Sequence, residues 1–320
     1  MQISSGIVFT SGLSITGGDA PSGPTAGWFG GGRILSTVDR ITYATDTATA
    51  SVRGPLSLAR YSLAATGNLT YGWFGGGKTP ANQSRVDRIT YTTDTATASV
   101  RGPLSSARYS LAATGNTTDG WFGGGAAGGT LSTIDRITYA TDTATASVRG
   151  PLSSVRYSLA ASTDSTTYGW YGGGNAGPPS YPNVSIVNRI TYATDTLIAS
   201  VRGPLSLDRG NLAATGTDTY GWYAGGFSPS ASVSTVDRIT YATDTATASV
   251  RGPLSSARYY PAASTDSITY GWYGGGLQQP STIVLSTVDR ITYATDTATA
   301  SVRGPLSETK YDMAASSGIQ

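Results

Sequence analysis

Acids and bases in this chain arrive in fixed sets. Asp39 and Arg40 stand side by side, Asp46 follows inside a TDT triplet, and Arg53 and Arg60 complete the group. The set returns in six copies, with Asn188 in place of the first Asp in the fourth and Lys310 in place of the last Arg in the sixth. Carboxylates and guanidiniums so arranged can pair with one another, hold an anion, or serve as acid and base in hydrolysis. Much other chemistry is excluded, because the chain has no histidine and no cysteine. Imidazole bases, thiol nucleophiles, disulfides and the usual zinc and copper ligands are therefore ruled out, and a serine nucleophile would lack a histidine base. No cofactor or metal site is expected. Glycoside hydrolysis by two carboxylates remains, but it fits poorly: nearly every acid is either repeated sixfold or alone in a loop, whereas an active site breaks symmetry.

The elements that must position these residues follow from the repeat itself. ITYATDTATASVRGPLS, read from Ile41 to Ser57, recurs unchanged from Ile137, Ile239 and Ile291, with Thr92 altered in the copy from Ile89 and Leu197 and Ile198 in the copy from Ile190. Trp28, Trp73, Trp121, Trp170, Trp222 and Trp272 mark a period of about 48 residues. Thr, Val, Ile, Tyr and Gly dominate rather than helix formers at 3.6-residue spacing, so the unit reads as strands. One period carries four: a (61–66), b (71–77), c (86–93) and d (97–102), separated by turn residues. In b, Trp73 and Phe74 point to opposite faces, which requires a sheet covered on both sides. Asp46 and its equivalents are expected to bond the backbone N–H groups of their own TDT turns.

The copies are out of phase at the ends. No a strand precedes Trp28, and the chain closes on an a strand, KYDMAAS at residues 310–316, with no b strand after it. The reading is an all-β, six-bladed β-propeller of four antiparallel strands per blade, whose ring is closed by the C-terminal strand. Residues 21–320 form the propeller, and residues 1–20 form an N-terminal segment that adds an outer strand, pairs with a second subunit or attaches to a larger assembly.

The double glycine Gly76 and Gly77 ends an apolar strand, Tyr91 follows, and Arg108 comes after the GPLSSA turn. This pattern resembles the kelch-type β-propeller repeat over about residues 26–316. It departs at residues 96–98, where kelch repeats usually place an aromatic on strand d, so blade packing is expected to differ. The copper-oxidase branch of kelch-like propellers uses histidine ligands and a cysteine-linked tyrosine, neither of which this composition allows. The wording of the repeat, FGGG at residues 29–32 followed by STVDRITYATDTATASVRGPLSLARYSLAATGN at residues 36–68, also resembles kelch-like proteins of marine and cyanobacterial bacteriophages. That resemblance implies a virion or tail-appendage component, with other virion proteins or a host-surface glycan or protein as partner. Unequal loops argue for natural duplication over a consensus design.

A formal net charge of +2, evenly spread, gives no electrostatic reason to expect nucleic acid. No apolar run suits membrane insertion, and MQISSGIVFTSGLSITGG is a poor secretory signal. The expected location is a virion, or the extracellular space after lysis.

Two sets of residues are candidates for binding. Arg60, Arg108, Arg156, Arg209, Arg258 and Lys310 open the innermost strands, so they would ring one mouth of the axial channel and hold an anion, if they are not spent on structural ion pairs. The b–c loops vary most, and variable loops on a rigid scaffold suit recognition. Tyr181, Phe227 and Gln278 in those loops carry aromatic and amide groups fit for sugars or partner surfaces. Gly210 and Asn211 replace the usual Tyr and Ser, which would open a notch at the mouth. The function expected is a non-enzymatic structural or adhesion module of a bacteriophage particle, with a carbohydrate-binding lectin as the alternative and a hydrolase using loop carboxylates less favoured.

Overall fold

The computed structural model describes residues 23–318, and the expected N-terminal segment, residues 1–20, lies outside them. Six four-stranded antiparallel sheets form the blades of a β-propeller. In blade 2 the strands are Ala64–Gly67, Tyr71–Gly75, Val86–Thr90 and Ser99–Arg101, from the axis outward. All four strands are shorter than expected. The lead-in to a, residues 61–63, lies outside the strand and bonds to the neighbouring blades at Ser62, and c ends in a single 3-10 turn, Tyr91–Thr93.

Ring closure is as expected. Ala314–Ser317 is the inner strand of blade 1, paired with Ala26–Gly30, and Trp28 lies opposite Ser316. The sheet continues through Val38–Thr42 and Ser51–Arg53. Each sheet has its inner edge at the axis, and the strands at the outer edges are three residues long and carry an arginine, which blunts them.

Each blade buries both faces of its b strand. Trp73 packs with Phe122, Ile137 and Tyr139 of blade 3, while Phe74 packs with Trp28 of blade 1. The aromatic missing from strand d is supplied by the end of c. Tyr91 stacks on Trp28, and Tyr139 on Trp73, each with ring centroids 3.8 Å apart. The glycine triplet makes this spacing attainable: a Cβ on Gly75 would lie 2.7 Å from the ring of Phe122. Gly76 and Gly77 are left-handed, with φ of 68° and 100°, and turn the chain off the strand.

The TDT carboxylates do something other than cap their turns. Asp94 of blade 2 reaches back to blade 1, accepting from Trp28 Nε1 at 2.8 Å and Arg40 Nη1 at 3.1 Å, with Arg53 Nε at 3.5 Å. Asp46 does the same for Trp272, Arg290 and Arg303 across the seam. One buried carboxylate thus ties three side chains of the preceding blade, at every interface. The reason is donor supply: an indole N–H and two guanidiniums face it, and charge-assisted bonds outcompete a turn amide. Self-capping appears instead in the a–b turns, where Asp164 accepts from the N–H groups of Thr166, Thr167 and Tyr168.

Candidate functional site

The expected basic ring is not a ring of free cations. Arg60, Arg108, Arg156, Arg209, Arg258 and Lys310 are all 0 % exposed. Arg60 Nη1 lies 2.8 Å from Asp87 Oδ2, and its Nη2 donates to the Phe74 carbonyl at 2.9 Å. Arg108–Asp135, Arg209–Asp237, Arg258–Asp289 and Lys310–Asp39 repeat the pair at 2.8–3.1 Å. Ser57 adds its N–H and hydroxyl to the same Asp87 carboxylate. A buried cation must find an anion, and strand c of the same blade offers one, so these side chains run into the sheet rather than out to a ligand. Blade 4 is the exception. Arg156 meets Asn188 Oδ1 at 2.7 Å and the carbonyls of Gly173 and Ile186, with no carboxylate among the described residues, and burial pulls its guanidinium down to about 10.

Six other residues take the mouth. Ser62, Ser110, Ser158, Asn211, Tyr260 and Asp312 lead into the inner strands and are all left-handed, with φ between 54° and 60°. That conformation lets each donate its backbone N–H to the carbonyl of its neighbour in the preceding blade, from Ser62 on Asp312 round to Asp312 on Tyr260, at 2.7–3.1 Å. The six bonds close a circle about the axis. Short polar residues tolerate this backbone, whereas Tyr260 holds it against steric cost. Inside the circle the channel narrows to a cavity of about 70 Å³.

Symmetry fails just outside the circle, on the loop face of blade 1. In blade 2, residues 78–82 fold back along the lead-in to strand a, and Lys78 and Tyr61 exchange backbone bonds of 2.8 and 3.1 Å. Blades 3, 5 and 6 repeat the pairing as Tyr109 with Ala126, Gly210 with Phe227 and Tyr259 with Leu277, and blade 4 as Tyr157 with Asn175. Blade 1 has no such flap among the described residues. Leu35 performs the role of Gln83, its N–H on the Gly32 carbonyl and its carbonyl on the Arg60 N–H, but between Gly32 and Leu35 stand only Arg33 and Ile34. Both are left-handed, at 45° and 62°, an expensive backbone for a β-branched isoleucine.

The missing flap leaves a recess of about 460 Å³, lined by Arg33, Ile34, Tyr61, Leu277, Asp312 and the tyrosines 259, 260 and 311. The rings of Tyr259 and Tyr260 are 4.8 Å apart and those of Tyr260 and Tyr311 5.9 Å, while the Arg33 guanidinium sits 5.8 Å from the Tyr311 centroid. Asp312 hydrogen-bonds the Ser62 hydroxyl. Desolvation pushes its carboxyl up to about 6, partly offset by that hydroxyl, and no salt bridge joins it among the described residues. Burial, and after it the Asp312 charge, raises the Tyr260 phenol.

The loop residues singled out from the sequence do not line this recess. Tyr181 is 51 % exposed on the blade 4 loop. Phe227 is fastened to Gly210 and packs its ring on Tyr259 at 5.3 Å, so it supports the wall from behind. Gln278 donates its N–H to Ile283 within its own loop. The notch expected at Gly210 is filled: a Cβ there would strike the Asn175 side chain. Sequence reading missed Tyr260, Tyr311 and Asp312, although YY at residues 259–260 and YD at 311–312 both break the repeated Tyr-Ser. No protein-family model matches this chain, and no curated protein matches it.

Proposed function

We propose that the protein is a non-enzymatic structural or adhesion module of a bacteriophage particle, displayed with its loop face toward a host surface or a neighbouring particle protein. The observation that carries this reading is how the acids are used. The Asp39 class is consumed by buried cations, the Asp46 class by the blade-to-blade ties, and Asp164 and Asp266 by their own turns. Beside these committed acids, an asymmetric recess walled by tyrosines opens on the loop face of blade 1. This supports binding over turnover, and the phage-like wording of the repeat supports the particle. Mass spectrometry of purified virions from a producing host tests it: the protein is expected at stoichiometric abundance, and its absence from virions contradicts the particle role.

A free carbohydrate-binding lectin is the second reading. It is favoured by the same recess, since stacked tyrosines beside a carboxylate suit a saccharide as well in a free protein as on a particle.

A further inference from the structure

We infer that the blade 1 recess is a saccharide site that takes one uncharged pyranose residue, with the tyrosines as stacking walls and Asp312 and Arg33 as the polar ends. This rests on the adhesion reading and deepens it by naming the ligand class and the residues.

Three features of the recess select that class. A volume of about 460 Å³ lies within the range of small-molecule sites and exceeds what a single sugar ring needs. Four tyrosines line it, a residue type whose ring packs against the C–H face of a pyranose and whose hydroxyl both donates and accepts. Its polar groups are of opposite kind: Asp312 in its ionised form only accepts and Arg33 only donates. A polyol, whose every hydroxyl does both, can satisfy the two together. A cationic ligand would meet Arg33, and an anionic one would meet Asp312, so neither suits the pair.

The recess is also built rather than incidental. Asp312 is held by the Ser62 hydroxyl and by the backbone circle, with its N–H on Tyr260 and its carbonyl on Ser62. Tyr259 is fixed from three sides, by Leu277 through its backbone, by the Phe227 ring, and by Gln279 Nε2 on its hydroxyl at 3.2 Å. The left-handed Arg33 and Ile34 keep the opening clear, where every other blade places a paired flap. Strain held at such a position is typical of sites that use it.

The test uses the full chain. Wild-type protein is screened on a glycan array of neutral and sialylated oligosaccharides, and against free glucose, galactose and mannose by saturation-transfer NMR, with choline as the cationic probe. A neutral saccharide is expected to bind, with transfer to its ring protons. Asp312→Asn and Tyr311→Ala should each weaken binding at least tenfold, and Tyr181→Ala should leave it unchanged. Replacing residues 33–34 with residues 78–82 should abolish binding with all lining side chains but Arg33 and Ile34 retained, and thermal melts confirm that each variant folds. Silence from every neutral saccharide, preference for choline or for sialylated glycans, or full binding by the folded Asp312→Asn and flap variants overturns the inference. Detection in virions without saccharide binding would sink the recess and spare the particle role; recess-dependent binding by a protein missing from virions would do the reverse.

Discussion

Blades 1 and 2 are nearly the same in sequence where they face their neighbours and differ where they face solvent. Both present a Trp to the next blade's Tyr and Asp, and both bury a cation on a strand-c carboxylate. Yet blade 2 folds residues 78–82 over its lead-in, while blade 1 has only Arg33 and Ile34 at that point and leaves Tyr311 and Asp312 uncovered. The contrast teaches that repeated residues build the disc and that loop length decides where a pocket appears. A single short loop, in a ring of six, is enough to give a symmetric body one distinct side.

The widest gap between the two regions should appear in stability. Trp73→Ala removes a fully buried ring, its stack on Tyr139 and its bond to Asp142, and should cost about 3–5 kcal/mol in urea denaturation. A loss near that of a surface change would break the division between scaffold and site.

Blade 4 sharpens the same point within the scaffold. Asp87→Asn gives Arg60 the partner Arg156 has, and should cost about 1–3 kcal/mol; Asn188→Asp should raise stability by a smaller amount in the same assay. If Asn188→Asp destabilised the protein, the carbonyls of Gly173 and Ile186 would have to be the better match for Arg156.

Asp312 connects scaffold and site through pH. Its carboxyl is raised to about 6 from an ordinary 3.8, by desolvation first and with the Ser62 hydroxyl opposing, and Tyr259, Tyr260, Tyr311 and Arg33 line the same recess. The folded state therefore holds this proton more tightly than the unfolded chain does. Stability from the group is full below about pH 4 and is lost as pH rises through about 6. Asp312→Asn should flatten the melting profile across that window and be more stable than wild type at pH 7, read as the difference between the two melting curves. Smallest of all, Tyr181→Ala should change stability by no more than about 0.5 kcal/mol, since the ring is exposed.

Much of the fold was legible because it is repeated. Six tryptophans at one period, double apolar faces on strand b, an a strand missing before Trp28 and an unpaired a strand at residues 310–316 are enough for six blades and their closure. The carboxylate partners were not legible, because Asp94 ties to Trp28, far away in sequence, and the local TDT context points to a turn. The basic ring failed for a related reason: innermost position in a blade does not say which way a long side chain runs, and Asp87 draws Arg60 into the sheet. The recess was hardest to read. It depends on a loop that is short, and the residues it uncovers, Tyr311 and Asp312, lie at the far end of the chain from Arg33 and meet it only because the ring closes.

Amide hydrogen exchange by NMR tests the uncovered lead-in most directly. The N–H groups of Tyr61, Tyr109 and Tyr259 are bonded to the flaps of their blades, and among the described residues that of Tyr311 has no such partner. Tyr311 should exchange at least tenfold faster than the other three under native conditions. Equal protection at all four positions would mean that something covers blade 1 as the flaps cover the rest, and the asymmetry on which the binding site rests would be gone.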